Sequence, residues 1–113
     1  MVLVVALVSV LLLATSQQAT AVSVRFYANT DLSGDSDSFD GGPLPPKGIC
    51  GDCKNLNFFS SNPWKSYELD SLGSITLFSY RDCSGQSSSV LTAMSGNIPG
   101  PLQGKTKSFK ICN

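Results

Sequence analysis

After Ala21 the chain has no stretch in which apolar residues recur every three or four positions, the spacing that lines one face of a helix. What recurs is alternation. Val22-Ser23-Val24-Arg25-Phe26-Tyr27 and Ser74-Ile75-Thr76-Leu77-Phe78-Ser79-Tyr80 alternate apolar and polar side chains and are rich in β-branched and aromatic residues. Lys65 to Leu69 and Lys107 to Cys112 are shorter runs of the same kind, and Ser87 to Thr92 is a further candidate. Blocks of Gly, Pro, Ser, Asn and Asp separate them. The turns are therefore expected at Thr30 to Asp35, Gly41 to Gly48, Ser60 to Pro63 and Gly96 to Gly104. The pattern predicts an all-β domain of short strands.

Met1 to Leu13 is different, being uncharged and almost entirely Val, Leu and Ala. It gives way to small and polar residues ending in Ala19-Thr20-Ala21, the small-x-small arrangement read by signal peptidase. The run is shorter than the ~20 apolar residues that cross a bilayer. Residues 1–21 are expected to be a signal peptide cleaved before Val22. That leaves 22–113 as one extracellular domain.

A domain of that size buries a modest fraction of its surface, and cross-links are the usual remedy in an oxidising compartment. All four cysteines, Cys50, Cys53, Cys83 and Cys112, follow the expected cleavage point. They allow three pairings. Cys50 and Cys53 could pair with each other or form half of a zinc site, but there is no second Cys-x-x-Cys and no histidine to complete one.

Eight basic and eight acidic residues give zero formal charge. Such a chain has no general attraction to nucleic acid or anionic membrane. Lys105, Lys107 and Lys110 form the one basic cluster, either a contact surface or a guard against pairing at a strand edge. The acids gather at Asp31, Asp35, Asp37 and Asp40. Neither Asp31 nor Asp35 starts a calcium loop with both the glycine and the glutamate it needs, so this segment reads as a solvated acidic turn. Without histidine there is no Ser-His-Asp or Cys-His pair. Glu68 is the only glutamate, and no two aspartates are spaced to share a cleft. The expectation is a protein without enzymatic machinery, cofactor or metal. Phe58, Phe59 and Trp64 read as core, and Pro43-Leu44-Pro45-Pro46 as a stiff linker or displayed loop.

The two halves echo each other. Val24-Arg25-Phe26-Tyr27-Ala28-Asn29-Thr30-Asp31-Leu32-Ser33-Gly34 aligns without gaps to Ile75-Thr76-Leu77-Phe78-Ser79-Tyr80-Arg81-Asp82-Cys83-Ser84-Gly85. Trp64-Lys65-Ser66-Tyr67-Glu68-Leu69 echoes Thr106-Lys107-Ser108-Phe109-Lys110-Ile111 in the same order. Two copies of one supersecondary unit fit this better than a solenoid.

Tyr27-x-x-x-x-Leu32-x-Gly34 and Phe78-x-x-x-x-Cys83-x-Gly85 resemble the βγ-crystallin Greek-key signature: aromatic, four residues, aromatic, one residue, glycine. Here the second aromatic is Leu32 in one copy and Cys83 in the other. In that signature the glycine permits positive φ in a folded hairpin and the aromatic packs over it. The resemblance implies an all-β, βγ-crystallin-like Greek-key sandwich of two four-stranded motifs, about 22–71 and 74–113. Within the superfamily the likeness is strongest to small secreted plant antimicrobial proteins of the macadamia type, and more distantly to microbial killer toxins. It is carried by Leu77-Phe78, Asp82-Cys83-Ser84-Gly85 and Lys107-Ser108-Phe109-Lys110-Ile111-Cys112.

The family's bridges imply the pairs Cys50–Cys112 and Cys53–Cys83. A third family bridge has no cysteine at either end here, one end being Leu32. Where calcium-binding relatives place a Ser or Thr ligand, this chain has Lys65 in Ser61-Asn62-Pro63-Trp64-Lys65-Ser66. The second copy has Lys107 in Gln103-Gly104-Lys105-Thr106-Lys107-Ser108. An ammonium offers no lone pair, so both standard sites are expected to be lost.

The implied function is a secreted defence or toxin-like protein acting on microbial cells. The family is strongly basic and this chain is neutral. A specific microbial surface component is therefore the expected partner, with no nucleic acid and no stable membrane insertion, and the protein is expected to be a monomer. The alternative is a protein-binding module. It would be a protease inhibitor presenting Gly42 to Ile49, or an effector that binds a host protein.

Overall fold

The computed structural model describes residues 21–56 and 63–113. The apolar N-terminal run, Phe58, Phe59 and the Ser61-Asn62 pair lie outside the described residues. The strands are β1 (Ala21–Asn29), β2 (Ser33–Pro43), β3 (Lys54–Asn55), β4 (Ser66–Leu69), β5 (Ser74–Tyr80), β6 (Ser84–Ser87), β7 (Ser95–Asn97) and β8 (Ser108–Cys112). Short 3-10 turns occupy Arg81–Cys83 and Gly100–Leu102. The four clearest alternating runs become β1, β4, β5 and β8, because each presents one apolar edge to a common core.

Two antiparallel sheets result. The first runs β2-β1-β4-β7 and the second β3-β8-β5-β6. Each holds three strands of its own half of the chain and the third strand of the other half. β7 pairs with β4 through Ser66↔Asn97, Tyr67↔Gly96 and Glu68↔Ser95. β3 pairs with β8 through Lys54↔Phe109 and Asn55↔Ser108. The core lies between the sheets. Val22, Val24, Phe26, Tyr67 and Leu69 of the first sheet meet Ile75, Leu77, Phe109 and Ile111 of the second. The Phe26 ring sits 5.7 Å from Phe109 and 6.2 Å from Trp64, which is buried as expected.

Three expectations need correction. The first concerns the acidic turn. Asp35, Asp37 and Asp40 lie on β2, an edge strand paired along β1 from Ala21↔Pro43 to Asn29↔Ser33. Of the turn blocks drawn at Thr30 to Asp35 and Gly41 to Gly48, Ser33 to Asp35 and Gly41 to Pro43 are strand, and the rest is turn or loop. The polar composition of β2 hid it. An edge strand takes its hydrogen bonds from its neighbour and has one apolar anchor, Phe39, 5.8 Å from the Phe26 ring.

The second concerns Ser87 to Thr92. β6 ends at Ser87, and only Leu91 makes an isolated bridge, to Ile75. Ser88 explains the departure: its Oγ accepts from the Leu77 amide at 2.9 Å, a place a ladder carbonyl would hold. Further on, the expected turn at Gly96 to Gly104 begins inside β7.

The third concerns edge protection. The lysines do not guard an edge, because β8 lies between β3 and β5, and Lys105 and Lys107 precede it. Acids serve one true edge, that of β2. The Asp37 carboxylate accepts from the Ser38 amide at 2.9 Å and the Asp40 carboxylate from the Gly42 amide at 2.8 Å. These amides are thereby withheld from a foreign strand.

The hairpin between β1 and β2 and the turn between β5 and β6 share one strained conformation. Asp31 and Leu32 have φ of 59° and 55°; Asp82 and Cys83 have 59° and 53°. Side chains from other strands hold both. The buried Ser66 Oγ accepts from the Leu32 amide and donates to the Asn29 carbonyl, while Asn97 Oδ1 accepts from the Asp31 amide at 2.7 Å. In the second half Ser108 Oγ accepts from the Cys83 amide and donates to the Tyr80 carbonyl, while Asn55 Oδ1 accepts from the Asp82 amide at 2.7 Å. Each asparagine comes from the exchanged strand. Gly34 and Gly85 follow with φ of 81° and 79°. The nearest atoms to a Cβ added at Gly34 belong to Asn29, and Tyr80 and Ser79 hold that place at Gly85. Asn29 and Tyr80 stand two positions after Tyr27 and Phe78, the aromatics of the signature.

Candidate functional site

Three surfaces carry chemistry. The first is the expected lysine cluster, which the fold divides. Lys105 and Lys107 are exposed ahead of β8, while Lys110 is half-buried on it, its Nζ 5.8 Å from the centre of the Phe78 ring. Lys110 and Phe78 share the outer face of the second sheet, where Thr76 pairs with Lys110.

Lys65 and Lys107 occupy equivalent places. The Lys65 amide donates to the Tyr27 carbonyl at 2.8 Å and the Lys107 amide to the Phe78 carbonyl at 2.9 Å. Ser66 and Ser108, which follow them, are fully buried and committed to the strained turns. Among the described residues no group of three or more His, Cys, Asp or Glu side chains is placed to hold a metal.

The second surface is the loop after β2. The cysteines join as Cys50–Cys112 and Cys53–Cys83, with none left unpaired. These are the two pairs the family's bridges imply. Cys50–Cys112 ties the end of the loop to the end of β8. The C-terminus reinforces it: the Gly48 amide donates to the Asn113 carbonyl at 2.6 Å, the Asn113 amide to Ile49 O at 3.0 Å, and Asn113 Nδ2 to Pro45 O at 2.9 Å. Pro46 to Ile49 forms a tight turn closed by Ile49 N to Pro46 O at 3.1 Å, with Gly48 at φ 82°. Lys47 stands exposed on it, and Ile49 is 51% exposed. An open cleft of about 410 Å³ runs beside the loop, from Gly41 past Leu44 and Pro45 to Asp52 and Lys54.

The third surface is the outer face of the first sheet, which the sequence reading did not single out. Alternation in β1 turns Val22, Val24 and Phe26 inward and leaves Ser23, Arg25 and Tyr27 outward. Arg25 pairs with Ser38 on one side and Glu68 on the other. Its Nη1 donates to Ser36 Oγ at 2.8 Å, and the Tyr27 hydroxyl donates to Glu68 Oε1 at 3.0 Å. Asp70 Oδ1 accepts from the Ser23 amide at 2.8 Å. Partial burial lifts the Tyr27 pKa above its ordinary 10.0; the hydrogen bond to Glu68 and the charge of that carboxylate add to the rise, and Arg25 opposes it. An open groove of about 390 Å³ is lined by Ser23, Arg25, Ser38, Glu68 and Asp70. The alternation of β1 already placed Arg25 and Tyr27 on one face. What the sequence hid was β2, without which Ser36 and Ser38 have no place beside them.

Among the described residues no helix is long and apolar enough to cross a membrane. Compared with models of known protein families and with curated proteins, the chain matches none of them.

Proposed function

We propose that the chain is a secreted βγ-crystallin-like protein of the defence or toxin-like kind, which acts on microbial cells through its folded surface and without enzymatic chemistry. One observation carries the reading. Each half of the chain lends its third strand to the other half's sheet, and the two hairpins share one clamped conformation. That is the arrangement a pair of Greek-key motifs with folded first hairpins would adopt. The pairing Cys50–Cys112 and Cys53–Cys83 supports the same kinship, and through it a life outside the cell. With zero formal charge, bulk attraction to anionic lipid is a poor driving force, so a defined component of the microbial surface is the partner.

The protease-inhibitor alternative receives less support. Gly42 to Ile49 is disulfide-anchored and proline-stiffened, but Lys47 and Gly48 sit inside a tight turn. An inhibitor that mimics a substrate presents an extended strand to the enzyme.

The test is growth inhibition of a panel of fungi and bacteria by the purified, oxidised protein, with a reduced and alkylated sample alongside. Inhibition that disappears on reduction is expected. Absence of inhibition up to tens of micromolar would overturn the reading.

A further inference from the structure

The two disulfides stand in different kinds of structure. Cys53–Cys83 joins the residue ahead of β3 to the strained turn at Asp82 and Cys83, and both of its cysteines are half-buried. Cys50–Cys112 joins β8 to a segment that belongs to neither sheet. Cys50 meets Cys112 in an isolated antiparallel bridge, flanked by Gly51 N to Ile111 O at 2.7 Å and Asn113 N to Ile49 O at 3.0 Å. Cys112 is buried, but Cys50 is exposed. Pro46, Lys47, Gly48 and Ile49 before it are exposed as well, and the backbone hydrogen bonds that leave their turn end on Asn113.

We propose that Cys50–Cys112 is a thiol-cleavable latch over a proteolytic processing site, the Lys47–Gly48 peptide bond, which a trypsin-like protease cuts only after the latch opens. The inference stands apart from the action on microbial cells. A protease takes up several residues around its scissile bond as an extended strand. Latched, the segment cannot extend. Ile49 N bonds to Pro46 O at 3.1 Å across the Lys47–Gly48 bond, Gly48 holds a φ of 82°, and the bridge fixes Cys50 just beyond. Exposed loop tips are where nicking concentrates, and Lys47 supplies the cation that a trypsin-like pocket reads.

Opening is local. A dithiol thiolate attacks the sulfur of Cys50, the exposed member of the bridge, and the S–S electron pair leaves on Cys112, which takes up a proton. The second thiol of the reagent attacks the mixed disulfide and releases Cys50 as a thiol. The protein gains two electrons and two protons, and the dithiol loses them as it becomes a disulfide. Neither four-stranded sheet contains Cys50, and Cys53–Cys83 still holds its turn. The protease then adds water across the Lys47–Gly48 amide, leaving a carboxylate on Lys47 and an amine on Gly48.

The test treats the oxidised protein with limiting dithiothreitol, alkylates samples at intervals with iodoacetamide and maps the labelled cysteines by mass spectrometry. Cys50 and Cys112 are expected to be labelled about tenfold faster than Cys53 and Cys83. The protein opened at the first pair is freed of reductant and given to trypsin beside the oxidised protein. Its first cut should fall after Lys47, about tenfold faster than in the latched protein, while the amide resonances of Val24, Phe26 and Leu77 keep their positions. Lys47→Gln, a change on an exposed turn, should abolish that cut in the opened protein. Labelling of Cys53 and Cys83 first, or of all four together, would overturn the proposal. So would a latched protein cut at Lys47 as fast as the opened one. A first cut at any other site in the opened protein, such as Arg25 or Lys110 within the strands, would also overturn it, since the sheets would then have come apart with the loop.

Discussion

Ser108 is fully buried and spends its hydroxyl entirely on the backbone of a strained turn. Replacing it with alanine removes two bonds and no apolar volume. The Cys83 amide, 2.9 Å from Oγ, and the Tyr80 carbonyl both lose their partner. A buried donor or acceptor left unsatisfied costs roughly 1–3 kcal/mol. Cys83 is half-buried and Tyr80 exposed, so water can reach part of the gap and the low end applies to each. The turn itself limits the loss. Asp82 and Cys83 each hold a positive φ worth about 1–2 kcal/mol of strain, which is released if the turn opens. The expected cost of Ser108→Ala is therefore about 1–2 kcal/mol. For a domain of this size that is roughly 5–15 °C in thermal midpoint.

Urea unfolding of the oxidised protein measures this, with an unchanged slope showing that the change lies in stability and not in compactness. Ser84→Ala is the control. Its Oγ also donates to a carbonyl, that of Arg81 at 2.9 Å, but on the surface, and it should cost no more than about 0.5 kcal/mol. If Ser108→Ala falls within that same margin, the hydroxyl does not hold the turn and the reasoning fails. Ser66→Ala makes the equivalent change in the first half. Because no disulfide tethers Leu32, its amide should show the larger gain in hydrogen exchange.

Three further outcomes are expected. The bridges Cys50–Cys112 and Cys53–Cys83 span 62 and 30 residues, so removing either pair by double Cys→Ser substitution should cost roughly 4 kcal/mol by chain entropy, measured in urea. A Cβ at Gly41 would lie 2.6 Å from Ile111 Cγ1 and 2.8 Å from the Val22 carbonyl, so Gly41→Ala should destabilise by about 1–3 kcal/mol, while Gly100→Ala, with open space around it, should be nearly neutral in the same assay. Burial raises the Tyr67 pKa above 10.0, and its hydroxyl donates to the Ala93 carbonyl at 2.9 Å. The unfolded chain then loses this proton first as pH rises, so the contribution is complete below pH 10.0 and disappears through the raised folded value. Tyr67→Phe should flatten the alkaline fall in stability seen by circular dichroism.

What could be read from the sequence follows from how each strand is specified. β1, β4, β5 and β8 carry their own inward side chains, so their periodicity alone predicts them. The alternation bounds β5 at Ser74 and Tyr80, as the structure has it. β2 carries almost none. Its serines and aspartates are shaped by a neighbour already in place, and such a strand reads as a turn until the neighbour is known. β3 and β7, two and three residues long, were invisible for a related reason. Each is held by pairing into the other half's sheet and by an asparagine that clamps a distant turn, a long-range relation with no local pattern. The lysine cluster failed differently. Spacing along the chain brought Lys105, Lys107 and Lys110 together, but only Lys110 lies on β8, where it turns toward Phe78.

The duplication also bears on where function can reside. Residues that face the core keep their apolar character across the repeat at most positions: Val24 and Ile75, Phe26 and Leu77, Tyr67 and Phe109, Leu69 and Ile111. The hydroxyls that clamp the turns, Ser66 and Ser108, are the same in both halves. These positions satisfy one shared frame, and a partner that recognised the frame would meet it twice. The outward positions diverge in charge and in hydrogen-bonding character. Arg25 stands against Thr76, Tyr27 against Phe78 and Glu68 against Lys110. Divergence there costs the fold little, because substitutions on an exposed sheet face usually lie within ±0.5 kcal/mol. A ligand that reads those side chains can therefore engage one sheet and ignore the other. The exchanged strands, which tie the two halves into one body, put that single face on a scaffold that neither half could complete alone.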